Sequence, residues 1–254
     1  MSKSETAVFL DNFNSALRML GRNPGGGALE LRSGAGVFST GLPFAGENYA
    51  LFDPSSSAEE LCGVLDFYEE RNLPFIALQL PKLQGKLALE LERRRIFHRA
   101  TYLAMSIGNL PAKMDGDPLV KKIYVNNEAE KWAEAAWTGF EGELPVPRAY
   151  VEFSQYLLRC PDNSLFVLEK EGIPLCSALL HSTEKSCGLY YFATRPKARR
   201  QGLAARFMGS LREYASRYSE EMVLLATEMG AKMYKRYGFR KLLEVPVFSA
   251  SDEF

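Results

Sequence analysis

Tyr190-Tyr-Phe-Ala-Thr-Arg-Pro-Lys-Ala-Arg-Arg-Gln-Gly-Leu-Ala204 passes from an aromatic, apolar run through a proline into a cluster of cations and then a small-residue turn. The apolar run reads as a strand ending near Thr194, and Leu203, Phe207, Leu211, Tyr214 and Tyr218 trace one face of the helix that follows. The first turn of a helix carries backbone N–H groups without intrahelical partners, and the aligned peptide dipoles place partial positive charge there. Gly202, lacking a Cβ, lets that backbone approach an anion closely, and Ala204 keeps the next turn small. Arg195, Lys197, Arg199 and Arg200 oppose the dipole, by a few tenths to about 1 kcal/mol for a charge in the first turn, unless an anion relieves the conflict. The stretch therefore predicts a pyrophosphate-binding turn between a strand and a helix. A solvated basic loop before an amphipathic helix is the alternative, and these residues alone leave it open.

Outward from this turn, residues 165–168, 175–180 and 189–194 read as consecutive strands, the first two joined at Glu169-Lys-Glu-Gly172. Downstream, 222–226 is an uninterrupted apolar strand, 231–237 a short helix and 240–248 a final strand. Upstream, 120–125 is predicted as a strand, Asn127 with Glu130 as the cap of a helix carrying Trp132, Ala136 and Phe140, and Pro147 as the opening of a helix to Cys160.

The first half has its own grammar. Val8, Phe9, Phe13, Leu17 and Leu20 fall at helical spacing, ended by Gly21 and Asn23-Pro24-Gly25-Gly26-Gly27. The glycine triplet has no Gly-Lys-Ser/Thr sequel and reads as a loop. Short strands at 29–31, 37–40 and 49–52 precede a helix whose start is marked by Ser57 and Glu60, a capping box, with Leu61, Leu65 and Tyr68 on its apolar face. A strand at 75–78, a helix at 83–94 and a long strand at 96–107 follow. Proline, glycine and polar residues without periodicity between 108 and 118 mark a linker. The expected division is 1–110, a linker at 111–118, and 119–254.

Two motifs in the second half give a family resemblance. Arg199-x-x-Gly202-x-Ala204, after a strand and opening a helix, resembles the Arg/Gln-x-x-Gly-x-Gly/Ala turn with which GNAT acetyltransferases hold the pyrophosphate of acetyl-coenzyme A on backbone amides. Ala231-Lys-Met-Tyr-Lys-Arg-Tyr-Gly-Phe239 resembles the family's Ala-x-x-x-Tyr-x-x-x-Gly-Phe helix, its alanine displaced by one position. The resemblance implies an α+β fold over 119–254 with acetyl-CoA as co-substrate. It assigns Arg199, Arg200, Gln201, Gly202, Leu203 and Ala204 to pyrophosphate, and Phe192, Ala193 and Thr194 to the pantetheine arm, in a strand that splays from 222–227. It places Tyr234 near the coenzyme A sulfur as general acid, with an aromatic packing residue on the helix as the alternative. A backbone N–H near Phe192 or Ala193 is the expected group that polarises the thioester carbonyl. Thr227 stands where many relatives carry asparagine, and can still donate and accept a hydrogen bond. No carboxylate lies in 189–194, where some relatives carry a catalytic glutamate, so Glu228, His181 or a water relay are the candidate bases, against the commoner readings of a solvated glutamate and an ordinary strand-end histidine.

Tyr49-Ala-Leu-Phe-Asp-Pro54 and the helix after it echo Tyr191-Phe-Ala-Thr-Arg-Pro196 and its helix, with the same strand-helix-strand sequel. The echo lacks the chemistry. Asp53, Glu59 and Glu60 stand where cations should, there is no Gly-x-Gly/Ala turn, and no tyrosine in 87–97 matches Tyr234. The chain thus reads as α+β with two GNAT-like domains, each a mixed, mainly antiparallel twisted sheet flanked by helices. The first is degenerate and walls the acceptor site; a packing partner of unrelated fold is the alternative.

Composition narrows the partners. Basic and acidic side chains balance at 31 each, so no long-range field gathers nucleic acid or an anionic membrane. Cys62, Cys160, Cys176 and Cys187 form no CxxC pair and only 2 histidines are present, which argues against a metal site and for reduced thiols. No apolar leader or span is evident, and a cytoplasmic location is expected, as monomer or homodimer. The expected activity is transfer of an acetyl group from acetyl-CoA to a primary amine of a small molecule, peptide or protein. A transferase of a longer acyl or aminoacyl group and a non-catalytic acyl-CoA-binding module are the alternatives.

Overall fold

The computed structural model describes residues 3–31, 33, 35–52, 56–79, 86–110 and 116–250. Asp53, Pro54, the first residues of the helix predicted from 83, and the first part of the expected linker, 111–115, lie outside them. In chain order the elements are α1 (Lys3–Gly21), β1 (Gly27–Glu30), β2 (Gly36–Ser39), β3 (Asn48–Phe52), α2 (Ala58–Arg71), β4 (Ile76–Gln79), α3 (Lys86–Arg93) and β5 (Phe97–Gly108). Then come β6 (Val120–Lys122), α4 (Asn126–Gly139), α5 (Arg148–Arg159), β7 (Asn163–Lys170), β8 (Ile173–Ser182), β9 (Cys187–Thr194), α6 (Leu203–Ala215), β10 (Glu221–Ala226), α7 (Glu228–Arg236) and β11 (Arg240–Ser249). The fold is α+β.

Compactness does not follow chain order. Asn14–Met105 groups with Leu225–Phe254 in one unit, and Ser2–Phe13 with Ser106–Leu224 in the other. The expected cut at 111–118 therefore runs close to one boundary, while both ends of the chain cross over. Long-range pairing is the reason. In the first unit β11 pairs antiparallel with β4, at Val247↔Leu78 and Phe248↔Ala77, and the Arg99 guanidinium donates to the Ser249 and Ala250 carbonyls at 3.2 and 3.3 Å. Hydrophobic periodicity says that 240–248 is a strand but not which strand it pairs with.

Within that first unit β1, β2 and β3 form an antiparallel run, and β3 lies parallel to β4 with α2 as the connection. Val37, Ala50, Phe52, Leu61, Val64, Leu65, Tyr68 and Leu91 meet in its core. Tyr68 donates its hydroxyl to the Tyr49 carbonyl at 2.6 Å and stacks on Phe75 at 4.4 Å. The expected capping box is present: Glu60 N–H donates to Ser57 Oγ at 3.1 Å and Ser57 N–H to Glu60 Oε2 at 2.9 Å.

In the second unit β6, β7, β8 and β9 are antiparallel neighbours, and β10 joins parallel to β9 across the α6 connection. Phe207, Leu211, Trp132, Phe153 and Leu157 are fully or almost fully buried. The cap expected at Asn127 is displaced. α4 begins two residues earlier, at Asn126, with Val125 as N-cap and no side-chain cap, and Glu128 reaches back to accept from Tyr124 N–H at 3.3 Å. The 120–125 strand is shorter than expected, ending at Lys122, because Glu128 and the helix start take up the backbone that would have extended it.

Candidate functional site

The strand before the pyrophosphate turn is interrupted at one place. β8 and β9 pair at Cys176↔Thr194, Ser177↔Ala193 and Leu179↔Tyr190, so Ala178 faces two residues, Tyr191 and Phe192, across a β-bulge. Tyr191 takes the left-handed conformation, φ 49°. Side chains secure the bulge: Ser177 Oγ donates to the Tyr191 carbonyl at 2.9 Å, and Trp132 Nε1 to the Ala178 carbonyl at 2.8 Å. Trp132 is 0 % exposed and meets Tyr191 edge-on at 5.3 Å, so it is core and not pocket lining. α4 approaches the strand closely where Gly139 faces Ala193; a Cβ on Gly139 would lie 2.6 Å from that of Ala193.

Rungs between β9 and β10, among the described residues, are confined to Cys187/Met222 and Gly188/Val223, while β9 continues to Thr194. Phe192, one of the expected pantetheine residues, stacks on Phe207 of α6 at 5.7 Å.

After Thr194 a single 3₁₀ turn, Pro196–Ala198, leads into α6. Arg200 and Gly202 adopt positive φ, 64° and 77°, and Gly202 is the N-cap, with no side-chain oxygen capping the helix. The first intrahelical bonds run from Ala205 and Arg206 to the Gly202 carbonyl at 3.1 and 3.2 Å. Among the described residues no backbone carbonyl accepts from the N–H groups of Gly202, Leu203 or Ala204. Nothing lies within 4 Å of where a Gly202 Cβ would sit. An open helix start with unused donors, built on a backbone conformation that favours glycine, fits a bound pyrophosphate.

The four cations divide in a way the sequence did not foretell. Arg199 donates to the Thr194 carbonyl at 3.1 Å, the Gly139 carbonyl at 3.0 Å and Glu141 Oε1 at 2.9 Å, stapling the turn to the end of α4. Arg195 is similarly held by Glu134 Oε1 at 3.0 Å and the Pro174 carbonyl at 3.1 Å. Lys197 and Arg200 are exposed and have no ion pair among the described residues, so they are the cations at the turn not held by a carboxylate. Gln201 turns back onto the Lys197 carbonyl at 3.1 Å.

In the other compact unit, Thr227 caps α7, its Oγ1 accepting from Gly230 N–H at 3.1 Å; this side chain thus has a structural partner already, with its hydroxyl proton still to give. Glu228 follows, exposed in the first helical turn. Tyr234 is 8 % exposed, and burial pushes its phenol well above the ordinary value, so the hydroxyl stays protonated. The helix ends in a Schellman motif: Phe239 N–H donates to the Tyr234 carbonyl and Gly238 N–H to that of Lys235, both at 3.1 Å, with Gly238 at φ 93°. α3 ends the same way, Ile96 N–H to the Leu91 carbonyl at 2.8 Å and Arg95 N–H to that of Glu92 at 2.9 Å. Leu91 occupies in α3 the position that Tyr234 occupies in α7.

His181, a candidate base, sits in the core of the second unit at 1 % exposure, Nδ1 within 2.8 Å of Asn163 Oδ1. Burial lowers its pKa against a smaller opposing effect from Asp162, leaving a neutral ring with no open face toward a substrate amine. The structure therefore gives His181 a packing role. The cysteines are all free, Cys176 and Cys187 buried, and burial pushes the Cys187 thiol up to about 12. Among the described residues no cluster of metal-ligating side chains occurs, and no helix is long and apolar enough to cross a membrane.

Residues 161–241 match the acetyltransferase (GNAT) domain family. Among solved structures, the fold resembles a GCN5-related N-acetyltransferase from Kribbella flavida, at 13 % identity over 93 % of each chain with a TM-score of 0.63. It also resembles a GCN5-related N-acetyltransferase from Sphaerobacter thermophilus, at 15 % identity over 84 % of this chain and 75 % of that one, TM-score 0.55. A tandem GNAT protein from the clavulanic acid biosynthesis pathway aligns at 10 % identity over 85 % of this chain and 79 % of its own, TM-score 0.52. No curated protein matches the chain in sequence. Over residues 161–241 the chain is thus similar to the GNAT acetyltransferase domain, a family whose general chemistry is acyl transfer from an acyl-CoA, and the wider likeness to these structures is one of fold.

Proposed function

We propose, for a chain whose residues 161–241 match the GNAT acetyltransferase domain family, that it transfers the acetyl group of acetyl-CoA to a primary amine by direct attack. The observation that carries this reading is the open start of α6, where the N–H groups of Gly202, Leu203 and Ala204 have no carbonyl partner among the described residues and Lys197 and Arg200 stand exposed. A bound acetyl-CoA supplies a thioester, whose C–S bond breaks as the C–N bond to the amine forms.

The chain's own groups then have defined tasks. The α6 amides hold the pyrophosphate, Arg199 and Arg195 keep the turn in shape, and a backbone N–H near Phe192 or Ala193 polarises the carbonyl. Tyr234 is the hydrogen donor to the departing sulfur. Its phenol lies above the usual thiol range of about 8.5, so it stabilises a thiolate chiefly by hydrogen bonding. Glu228 and water remain as acceptors for the ammonium proton. Residues 1–110 are read as a degenerate copy: β3, α2 and β4 repeat the parallel β9, α6, β10 unit, and Leu91 replaces Tyr234 at the equivalent helix stop.

The test is release of free coenzyme A thiol when purified protein and acetyl-CoA meet a panel of primary amines of small-molecule, peptide and protein origin. Amine-dependent release supports the reading. Saturable acetyl-CoA binding with no release against any amine would favour the non-catalytic binding module instead.

A further inference from the structure

Asn12 lies in α1, far from the second half in sequence, and is 0 % exposed. A primary amide offers two N–H donors and one oxygen acceptor, and all are used here. Nδ2 donates to the His181 carbonyl at 3.1 Å and the Ser186 carbonyl at 3.3 Å, and Oδ1 accepts the Tyr190 hydroxyl at 2.8 Å. The segment Ser2–Phe13 belongs to the same compact unit as these partners.

The three partners surround the place where β9 leaves β10. His181 pairs with Gly188, the last β9 residue with a rung to β10, and Tyr190 is the last regular rung to β8 before the bulge at Tyr191 and Phe192. Gly188 is glycine because a Cβ there would run into the Asn12 amide and the Tyr190 ring. Burial raises the Tyr190 phenol, so its hydroxyl is a permanent donor to Asn12. Asn12 and Tyr190 together thus fix one end of the bulged segment, while Trp132 and Ser177 fix the bulge itself.

We infer that Asn12 is a positioning residue for acyl transfer: through Tyr190 it sets the register of the Tyr191–Ala193 peptides that polarise the thioester carbonyl. The inference rests on the acetyl-CoA reading above. It also gives the N-terminal helix a task in the transferase unit, beyond any copy of that unit in the first half. Asn12 itself touches no reacting atom in this account.

The readout needs no acceptor amine. The ¹³C chemical shift of the carbonyl in [1-¹³C]acetyl-CoA reports its polarisation, and a donor at the oxygen moves it downfield on binding. Wild type, Tyr190→Phe and Asn12→Leu full-length chains are compared, with the dissociation constant from calorimetry and folding from circular dichroism. Tyr190→Phe keeps the ring and removes only the hydroxyl, so it remains informative if Asn12→Leu does not fold.

The expected result is loss of about half or more of the bound-state displacement in Tyr190→Phe, with affinity within about threefold of wild type. A full displacement in Tyr190→Phe overturns the inference, as does parallel loss of displacement and affinity, which marks a general structural role. Absence of acetyl-CoA binding by wild type would instead remove the transferase reading itself, and this inference with it.

Discussion

Tyr234 and Phe239 are the two ends of one helix stop: the Phe239 N–H donates to the Tyr234 carbonyl at 3.1 Å, and their rings meet edge-on at 5.6 Å. The Tyr-x-x-x-Gly-Phe pattern is therefore a Schellman motif with its hydrophobic contact, and the tyrosine ring would be kept for packing whether or not its hydroxyl does chemistry. Tyr234→Phe separates the two. The ring stays, so the melting temperature should move by no more than a few degrees, while turnover should fall by about 10²-fold. Unchanged turnover would leave Tyr234 with packing alone.

The same hydroxyl makes a prediction about pH. Burial holds the phenol above its ordinary value of about 10, so no loss of rate from its ionisation is expected up to about pH 10. A pH profile of kcat in wild type and Tyr234→Phe checks this. An alkaline decline below that range, present in wild type and absent in the variant, would contradict the assignment.

Arg199 is expected to act on the ligand through the shape of the turn. Replacing it with alanine releases the Thr194 and Gly139 carbonyls and should weaken acetyl-CoA binding by about tenfold. Its ion pair with Glu141 is exposed, with side-chain exposures of 38 % and 69 %, and such pairs contribute at most about 1 kcal/mol. Glu141→Gln should therefore leave affinity unchanged or tighten it by about twofold, by removing negative charge near the phosphate. Calorimetry on both variants distinguishes a staple, where only Arg199→Ala weakens binding, from a simple charge balance, where the two act equally and oppositely.

His181 should make stability sensitive to acid. The unfolded side chain takes up a proton near pH 6.5, but the buried folded one resists it, so the unfolded state binds more protons as pH falls through that value. The contribution is fully present above about pH 6.5 and is lost progressively below it, down to the depressed folded value, by about 1.4 kcal/mol for each unit of depression. Urea unfolding at pH 7.5 and 5.5 should show a smaller difference in His181→Gln than in wild type. An equal difference would place the acid sensitivity elsewhere.

Much of this arrangement is legible in the sequence because local rules decide it. The Ser57 box, the α6 face and the glycine at 202 follow from capping, periodicity and backbone freedom, which act over a few residues. What could not be read are the contacts that join distant segments. Asn12 looks like any polar residue on the helix, yet its partners lie at 181, 186 and 190. No local pattern marks Glu134 or Glu141, and only the fold brings them to Arg195 and Arg199. His181, conversely, attracted a chemical reading by its residue type, and its burial on β8 beside Asn163 removes that reading. The β4–β11 pairing is invisible for the same reason: a strand's pattern fixes its faces and not its neighbours.

Isothermal titration of acetyl-CoA into wild type, Gly202→Ala and Gly202→Glu tests the central claim most directly. With φ at 77° and open space around the Cβ position, alanine meets only the cost of the left-handed backbone, about 1–2 kcal/mol, whereas glutamate adds a carboxylate at the pyrophosphate turn. The account predicts one-to-one saturable binding by wild type, weakened in Gly202→Ala and abolished in Gly202→Glu. Wild-type binding that survives in Gly202→Glu, or no binding by wild type, would contradict it.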